Sequence, residues 1–104
     1  VKLESRQLQR LIAREVPAAE IIGHDAQEWN AITLSGARHQ LVLRFTGAEA
    51  VKAGDLFHDS LPEREFNVPG HLAVEAGITS YDWRSFGGDE LLTLTLVIML
   101  LKER

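Results

Sequence analysis

Four histidines, His24, His39, His58 and His71, are the side chains best suited to proton transfer or metal ligation near neutral pH. A zinc-type site takes histidines at short helical or hairpin spacings with a carboxylate close by, and none of the four has such a spacing. His58 and Asp59 are neighbours that leave a helix on different sides, and His71 follows the Pro69-Gly70 turn. Surface and turn roles are therefore expected, with no metal, no cofactor and no catalytic residue assigned. His24-Asp25 with Glu28, Glu63 and Glu65 read as solvated loop or edge charge. Glu75 is the anomalous carboxylate, because strand alternation puts it among apolar residues, where lost hydration raises a carboxyl pKa as in general acids and bases. The expected resolution is a place near the sheet end, in reach of water or an arginine. His71 lies four residues away, roughly 13 Å along a strand, too far for the two to cooperate directly. Serine-nucleophile, dinucleotide and Walker-type motifs are absent. Gly87-Gly88 is followed by a strand pattern and not by a helix N-terminus, so it cradles no phosphate. Trp29 and Arg44, placed opposite each other on the solvent face of a hairpin, suit a cation-π pair that also could grip a ligand. Trp29, Arg44 and Trp83 are accordingly the candidate ligand-binding residues, with Phe57 near the same pocket between helices and sheet.

The elements that would position these groups follow from periodicity. Leu8, Leu11, Ile12 and Val16 form an apolar helical stripe over Arg6–Val16, with Ser5 as N-cap and Pro17 as the stop. Ala19–His24 reads as a short strand. Ala31–Leu34 and His39–Phe45 flank Ser35-Gly36-Ala37-Arg38 as a hairpin whose buried face would hold Ile32, Leu34, Leu41, Leu43 and Phe45. Thr46-Gly47-Ala48-Glu49 matches a capping box, so a helix starts there, carries Ala50, Ala53, Gly54, Phe57 and Leu61 on its apolar face, and ends at Pro62. The long connection Pro62–Gly70 has room for a short edge strand around Phe66.

His71–Arg84 and Glu90–Lys102 are long alternating runs joined through Gly87-Gly88, a strong hairpin signal. A two-residue turn pairs Trp83 with Leu92, Tyr81 with Leu94, Thr79 with Leu96, Gly77 with Ile98 and Glu75 with Leu100. That face belongs under the helices. The opposite face is polar near the turn, through Arg84, Asp82, Ser80, Thr93 and Thr95, and apolar beyond it, through Leu72, Val74, Ala76, Ile78, Val97, Met99 and Leu101. Those seven form the candidate interface, because a two-layer domain would otherwise leave them to water. The Pro62–Gly70 connection, a second copy of the chain, or another partner or apolar ligand could cover them.

Composition bounds the remaining possibilities. With 104 residues, 45% of them hydrophobic, the chain suffices for one domain with its own core, spanning residues 1–104. The absence of cysteine excludes a disulfide framework and thiol chemistry, and a reducing, cytoplasmic setting is expected. The apolar run Leu91–Leu101 is far shorter than the roughly 20 residues of a spanning helix, so no membrane association is expected. A net charge of −4 offers no field for phosphate, and nucleic acid is not an expected partner.

Three resemblances accompany this reading. Pro69-Gly70-His71-Leu72-Ala73-Val74-Glu75-Ala76 and Gly88-Asp89-Glu90-Leu91-Leu92-Thr93-Leu94 resemble segments of hot-dog-fold acyl dehydratases, which implies a catalytic role for Glu75. Only 11 residues separate Ala76 from Gly88, where that family places the rest of a helix and further strands. Trp29, Ser35-Gly36, His39, Leu41, Leu43, Phe45, Gly47 and the Phe66–His71 segment resemble short bacterial proteins of similar length, a likeness of turns and core positions that implies no activity. The order helix, three strands, helix is similar to the double-stranded RNA-binding domain, yet Gly47-Ala48-Glu49-Ala50-Val51-Lys52 lacks the basic helix start of that family.

The sequence thus predicts an α+β domain: an antiparallel sheet of four to five strands with two α-helices on one face, in the order helix, three strands, helix, two strands. The expected function is non-enzymatic self-association as a homo-oligomer, most simply a homodimer. Binding of a small apolar or amphipathic molecule is the second reading, and acyl chemistry at Glu75 the third.

Overall fold

The computed structural model describes residues 2–103 and is an α+β fold. Helix α1 (Lys2–Glu15) is followed by strands β1 (Glu20–Asn30) and β2 (Ser35–Thr46), helix α2 (Ala48–Ser60), a 3-10 turn (Leu61–Glu63) and the long strands β3 (His71–Phe86) and β4 (Asp89–Lys102). All pairings are antiparallel and the strand order is β1-β2-β4-β3. The long last strand, β4, therefore runs through the interior of the sheet.

Alternation along the two central strands builds the core. Leu41, Leu43 and Phe45 of β2 and Leu92, Leu94, Leu96, Ile98 and Leu100 of β4 are buried on one face, which we call inner. Leu8, Leu11 and Ile12 of α1, and Val51 and Phe57 of α2, belong to the same buried cluster. Each such side chain contributes on the order of 1.5–3 kcal/mol on leaving water. The Pro62–Gly70 connection turns Phe66 and Val68 into this inner cluster, so it does not cover the outer face, and Phe66 forms no edge strand. Gly54 lets α2 approach the sheet closely: a Cβ there would lie 2.8 Å from Leu92 Cδ2 and 2.9 Å from Phe45 Cδ1.

Several local features differ from the sequence expectation. α1 begins before Ser5, which is a helix residue and not a cap. β1 runs unbroken to Asn30, and Ala31–Leu34, expected as a strand, is the turn, closed by a 2.7 Å bond from the Ala31 amide to the Leu34 carbonyl. Ile32 is consequently 99% exposed, and Leu34 is exposed too. Ser35-Gly36-Ala37-Arg38, expected as the turn, is strand. The tertiary pairing of β2 with β4 extends to Gly36, opposite Leu101, and overrides the local turn preference. Gly47, at φ 94°, is the N-cap of α2 in place of Thr46, which remains in the sheet; no side chain caps that helix.

The Gly87-Gly88 turn forms as expected, with φ of 56° and 92°, and the pairing is even from Phe86–Asp89 to Ser80–Thr95. Beyond that, two β-bulges intervene, one between Ile78 and Ser80 and one between Ala73 and Glu75. Ile78 thereby faces Leu96 and Ala76 faces Ile98, so both join the inner layer. Glu75 is opposite Met99 on the outer face and is exposed. An extra residue in one strand reverses the facing of everything after it, which is why alternation alone misassigned these side chains.

Candidate functional site

Two regions gather the side chains that could carry function. The first is the outer face of the sheet, on which neither helix packs. Strand pairing places Trp29 of β1, Val42 of β2, Leu91, Val97, Met99 and Leu101 of β4, and Leu72 of β3 there. Of the seven interface residues expected from sequence, Leu72, Val97, Met99 and Leu101 hold this position. Ala76 and Ile78 are turned inward, and Val74 occupies a bulge, half exposed. The polar stretch near the turn, with Ser80, Asp82, Arg84, Thr93 and Thr95, is as expected.

Trp29 and Arg44 do not meet. Arg44 pairs with Glu20 through Nε at 3.0 Å and Nη2 at 2.6 Å, whereas Trp29 lies opposite Gly36 and donates its indole N–H to Met99 Sδ at 3.1 Å. The ring lies against Gly36, where a Cβ would be 3.1 Å from its Cζ2 and 2.3 Å from the Leu100 carbonyl oxygen. Trp29 is thus pinned across β2 to β4, as part of the apolar surface. Trp83 is on the inner side of the β3–β4 arm and half exposed, donating to Glu90 at 3.1 Å, and Phe57 is buried in the core. Trp29, Trp83 and Phe57 therefore share no pocket. Beside Trp83, Tyr81 donates to Asp55 at 2.6 Å; that bond first, then burial and the charges of Asp55 and Asp59, raise its pKa to about 12.

The second region was not anticipated. His39, fully buried, continues the inner-face alternation of Leu41, Leu43 and Phe45. Its Nε2 meets Glu4 Oε2, and the other oxygen of Glu4 pairs with His71 Nε2. His39 Nδ1 is 2.8 Å from His24 Nε2, His24 Nδ1 is 2.8 Å from Gln9 Nε2, and His71 Nδ1 is 2.9 Å from the Pro69 carbonyl. Five side chains from α1, β1, β2 and β3 thus form one continuous chain of hydrogen bonds.

Acceptors fix the direction of that chain. A carboxylate accepts only, so His39 donates from Nε2; with both rings neutral, His39 Nδ1 then accepts from His24 Nε2–H and His24 Nδ1 accepts from Gln9. His71 lies between two acceptors, the Pro69 carbonyl at its Nδ1 and Glu4 at its Nε2. Burial, and then the proximity of His39, push the His24 pKa below its ordinary value; Asp25 and Glu4 oppose this. At its Glu4–His71 end the chain borders a cleft of about 350 Å³ whose wall includes Gln7, Glu28, Asn30, Ser35 and Lys102. Glu75 is not part of it: His71 faces inward beside Glu4 while Glu75 faces outward, so the arrangement offers no Glu75–His71 acid-base pair.

Two sequence signals for this cluster exist. Glu4 stands one helical turn before Leu8 on the apolar stripe of α1, and His39 is in phase with the core residues of β2. Among the described residues no group of three or more histidine, aspartate or glutamate side chains is arranged to hold a metal ion, and no helix is long and apolar enough to cross a membrane. No protein-family model matches the chain, and neither the curated proteins nor the solved structures provide a match.

Proposed function

We propose that the protein is an association module and that the occupant of its outer sheet face is a second copy of the same chain, placed by a two-fold axis lying along β4. The supporting observation is a pair of cross-strand rows. Arg38 of β2 and Glu75 of β3 are both opposite Met99, on either side of β4. Arg44 and Asp82 are likewise both opposite Thr93. A two-fold axis along β4 exchanges the two sides of the strip while keeping position along the strand. Each β2 arginine of one protomer then faces the β3 acid of the same row: Arg38 over the partner's Glu75 and Arg44 over the partner's Asp82. Along the axis each outward residue of β4 meets its own counterpart: Val97 between these rows, Met99 within one of them, and Leu91 and Leu101 beyond them.

Isologous contact of this kind is the commonest route to a homodimer, and sheets stacked face to face sit about 10 Å apart, within reach of paired long side chains. Arg38 and Glu75 have no hydrogen-bond or ion-pair partner among the described residues of their own chain. The apolar strip provides affinity and the rim charges select the register, the usual division between buried core and charged rim.

Sedimentation equilibrium of four proteins tests the reading. The parent is expected to be a dimer and Val97→Lys a monomer with unchanged circular dichroism. Arg38→Glu should weaken the dimer about tenfold or more, and Arg38→Glu combined with Glu75→Arg should restore most of that loss, since a close interfacial charge pair couples by about 1.5 kcal/mol or more. A monomeric parent, or a double variant no tighter than Arg38→Glu alone, refutes it.

A further inference from the structure

The hydrogen-bond chain between α1 and the sheet has no vacancy for a ligand, because no buried side-chain nitrogen or oxygen among the described residues lacks a partner. It does have a fixed proton count. We propose that Gln9, His24, His39, Glu4 and His71 form a proton-sensitive latch that holds the N-terminal turns of α1 on the sheet at neutral pH and releases them when two protons enter it.

The first proton is tolerated. It goes to His24 Nδ1, and the Gln9 amide turns to present its oxygen in place of its NH2 group. Alternatively the His24 proton moves to Nδ1, with the Gln9 amide turned in the same way, so that His24 accepts at Nε2 and His39 carries two protons while still donating to Glu4. Either arrangement leaves every contact satisfied. The second proton is not tolerated, because His24 Nε2–H and His39 Nδ1–H would point at one another across 2.8 Å. His39 is fully buried and has no water to turn to. The contact must open, and α1 is the element able to yield. It contributes Glu4 and Gln9 to the chain, while His24 and His39 are locked in the β1–β2 ladder.

The charges facing the pair come from every neighbouring element. Glu4 of α1 and Asp25 of β1 favour protonation, and the mutual repulsion of His24 and His39 opposes it. His71, from the start of β3, already occupies one oxygen of Glu4, which leaves only the other to His39. Glu28 of β1 and Lys102 of β4 stand at the bordering cleft, one of each sign. Release stays local, since Leu8, Leu11, Ile12 and Val16 anchor the remainder of the helix by apolar contact alone. The inference is independent of the dimer, which uses the other face of the sheet.

Amide hydrogen exchange between pH 7.5 and 5.5, corrected for intrinsic rates, tests this on the intact chain. The opening constant of Leu8–Leu11 amides should rise as acid is added, by up to about tenfold per pH unit once the closed latch holds its first proton and opening admits the second. The amides of Asp55–Phe57 in α2 serve as the reference and should rise far less. His24→Gln removes one titrating site and can turn its oxygen to a doubly protonated His39, so the closed form holds the one remaining proton and the slope should fall towards zero. Equal pH dependence in α1 and α2, or an unchanged slope in His24→Gln, overturns the proposal. Should the variant not fold, ring-nitrogen NMR of the parent at pH 7.5 decides: both His24 and His39 are expected neutral and protonated at Nε2, and a proton on Nδ1 of either overturns it.

Discussion

His24 and Gly54 show how much a single position can carry. Burial holds the His24 pKa below the 6.5 of the free side chain, so the folded protein resists a proton that the unfolded chain accepts. Stability from this group is complete above about pH 6.5 and is lost as the pH falls through that value towards the folded pKa. Urea denaturation midpoints should therefore drop between pH 7 and 5, and the drop should shrink in His24→Gln. Gly54 is in a helix, where alanine is normally preferred by about 1 kcal/mol. The space is already taken by Leu92 and Phe45, so Gly54→Ala should cost on the order of 1–3 kcal/mol by overpacking, measured as a lower thermal midpoint. The helical stripe and the even-numbered leucines of β4 were legible residue by residue, because burial repeats with the local period. The latch was not, because Glu4 and His39 stand in phase with core residues but their pairing exists only once their elements are brought together.

For the elements, the two long strands illustrate both success and failure. Gly87-Gly88 marked the turn correctly, since positive φ at both positions is a local requirement. The bulge at Thr79 was also written in the sequence, as a change of phase: the inward residues are Ala76 and Ile78 on one side and Tyr81 and Trp83 on the other, three apart across the junction. Strict alternation reads such a change as a two-sided apolar strand. A pair of deletions separates the readings. Removing Thr79 leaves Ile78 opposite Leu96 and Ser80 opposite Thr95, so the hairpin should keep its packing. Removing Gly77 moves Ala76 to the outer face and turns Glu75 towards the core beside Ile98, and the unpaired carboxylate should make this deletion worse by more than about 2 kcal/mol. Chemical denaturation of the two proteins measures the difference. The turn at Ala31–Leu34 was misplaced for a different reason: Ser35-Gly36 has the better local turn chemistry, but Gly36 is needed where Trp29 and the Leu100 carbonyl approach it.

For the whole molecule, the layered build predicts a shape. One chain measures 54 × 21 × 21 Å, with both helices on one side of a sheet that extends beyond them as the β3–β4 arm. Stacking two such chains along β4 adds thickness and almost no length, so small-angle scattering of the dimer should give a longest dimension close to that of one chain. Pairing through an edge strand would lengthen or widen the particle instead. The fold class was readable because the order of helical and strand periods leaves few ways to layer so short a chain. Which face stays bare was readable only once the bulges had been located.

Those two supernumerary residues have a consequence beyond facing. β3 is 16 residues long and forms an outer margin of the sheet, a length of backbone that would invite neighbouring chains to add themselves indefinitely. Thr79 and Val74 break that margin into short, mismatched segments on which an incoming strand loses its repeat. Strand addition at this border is thereby opposed by the strand's own geometry, with no need of a covering element.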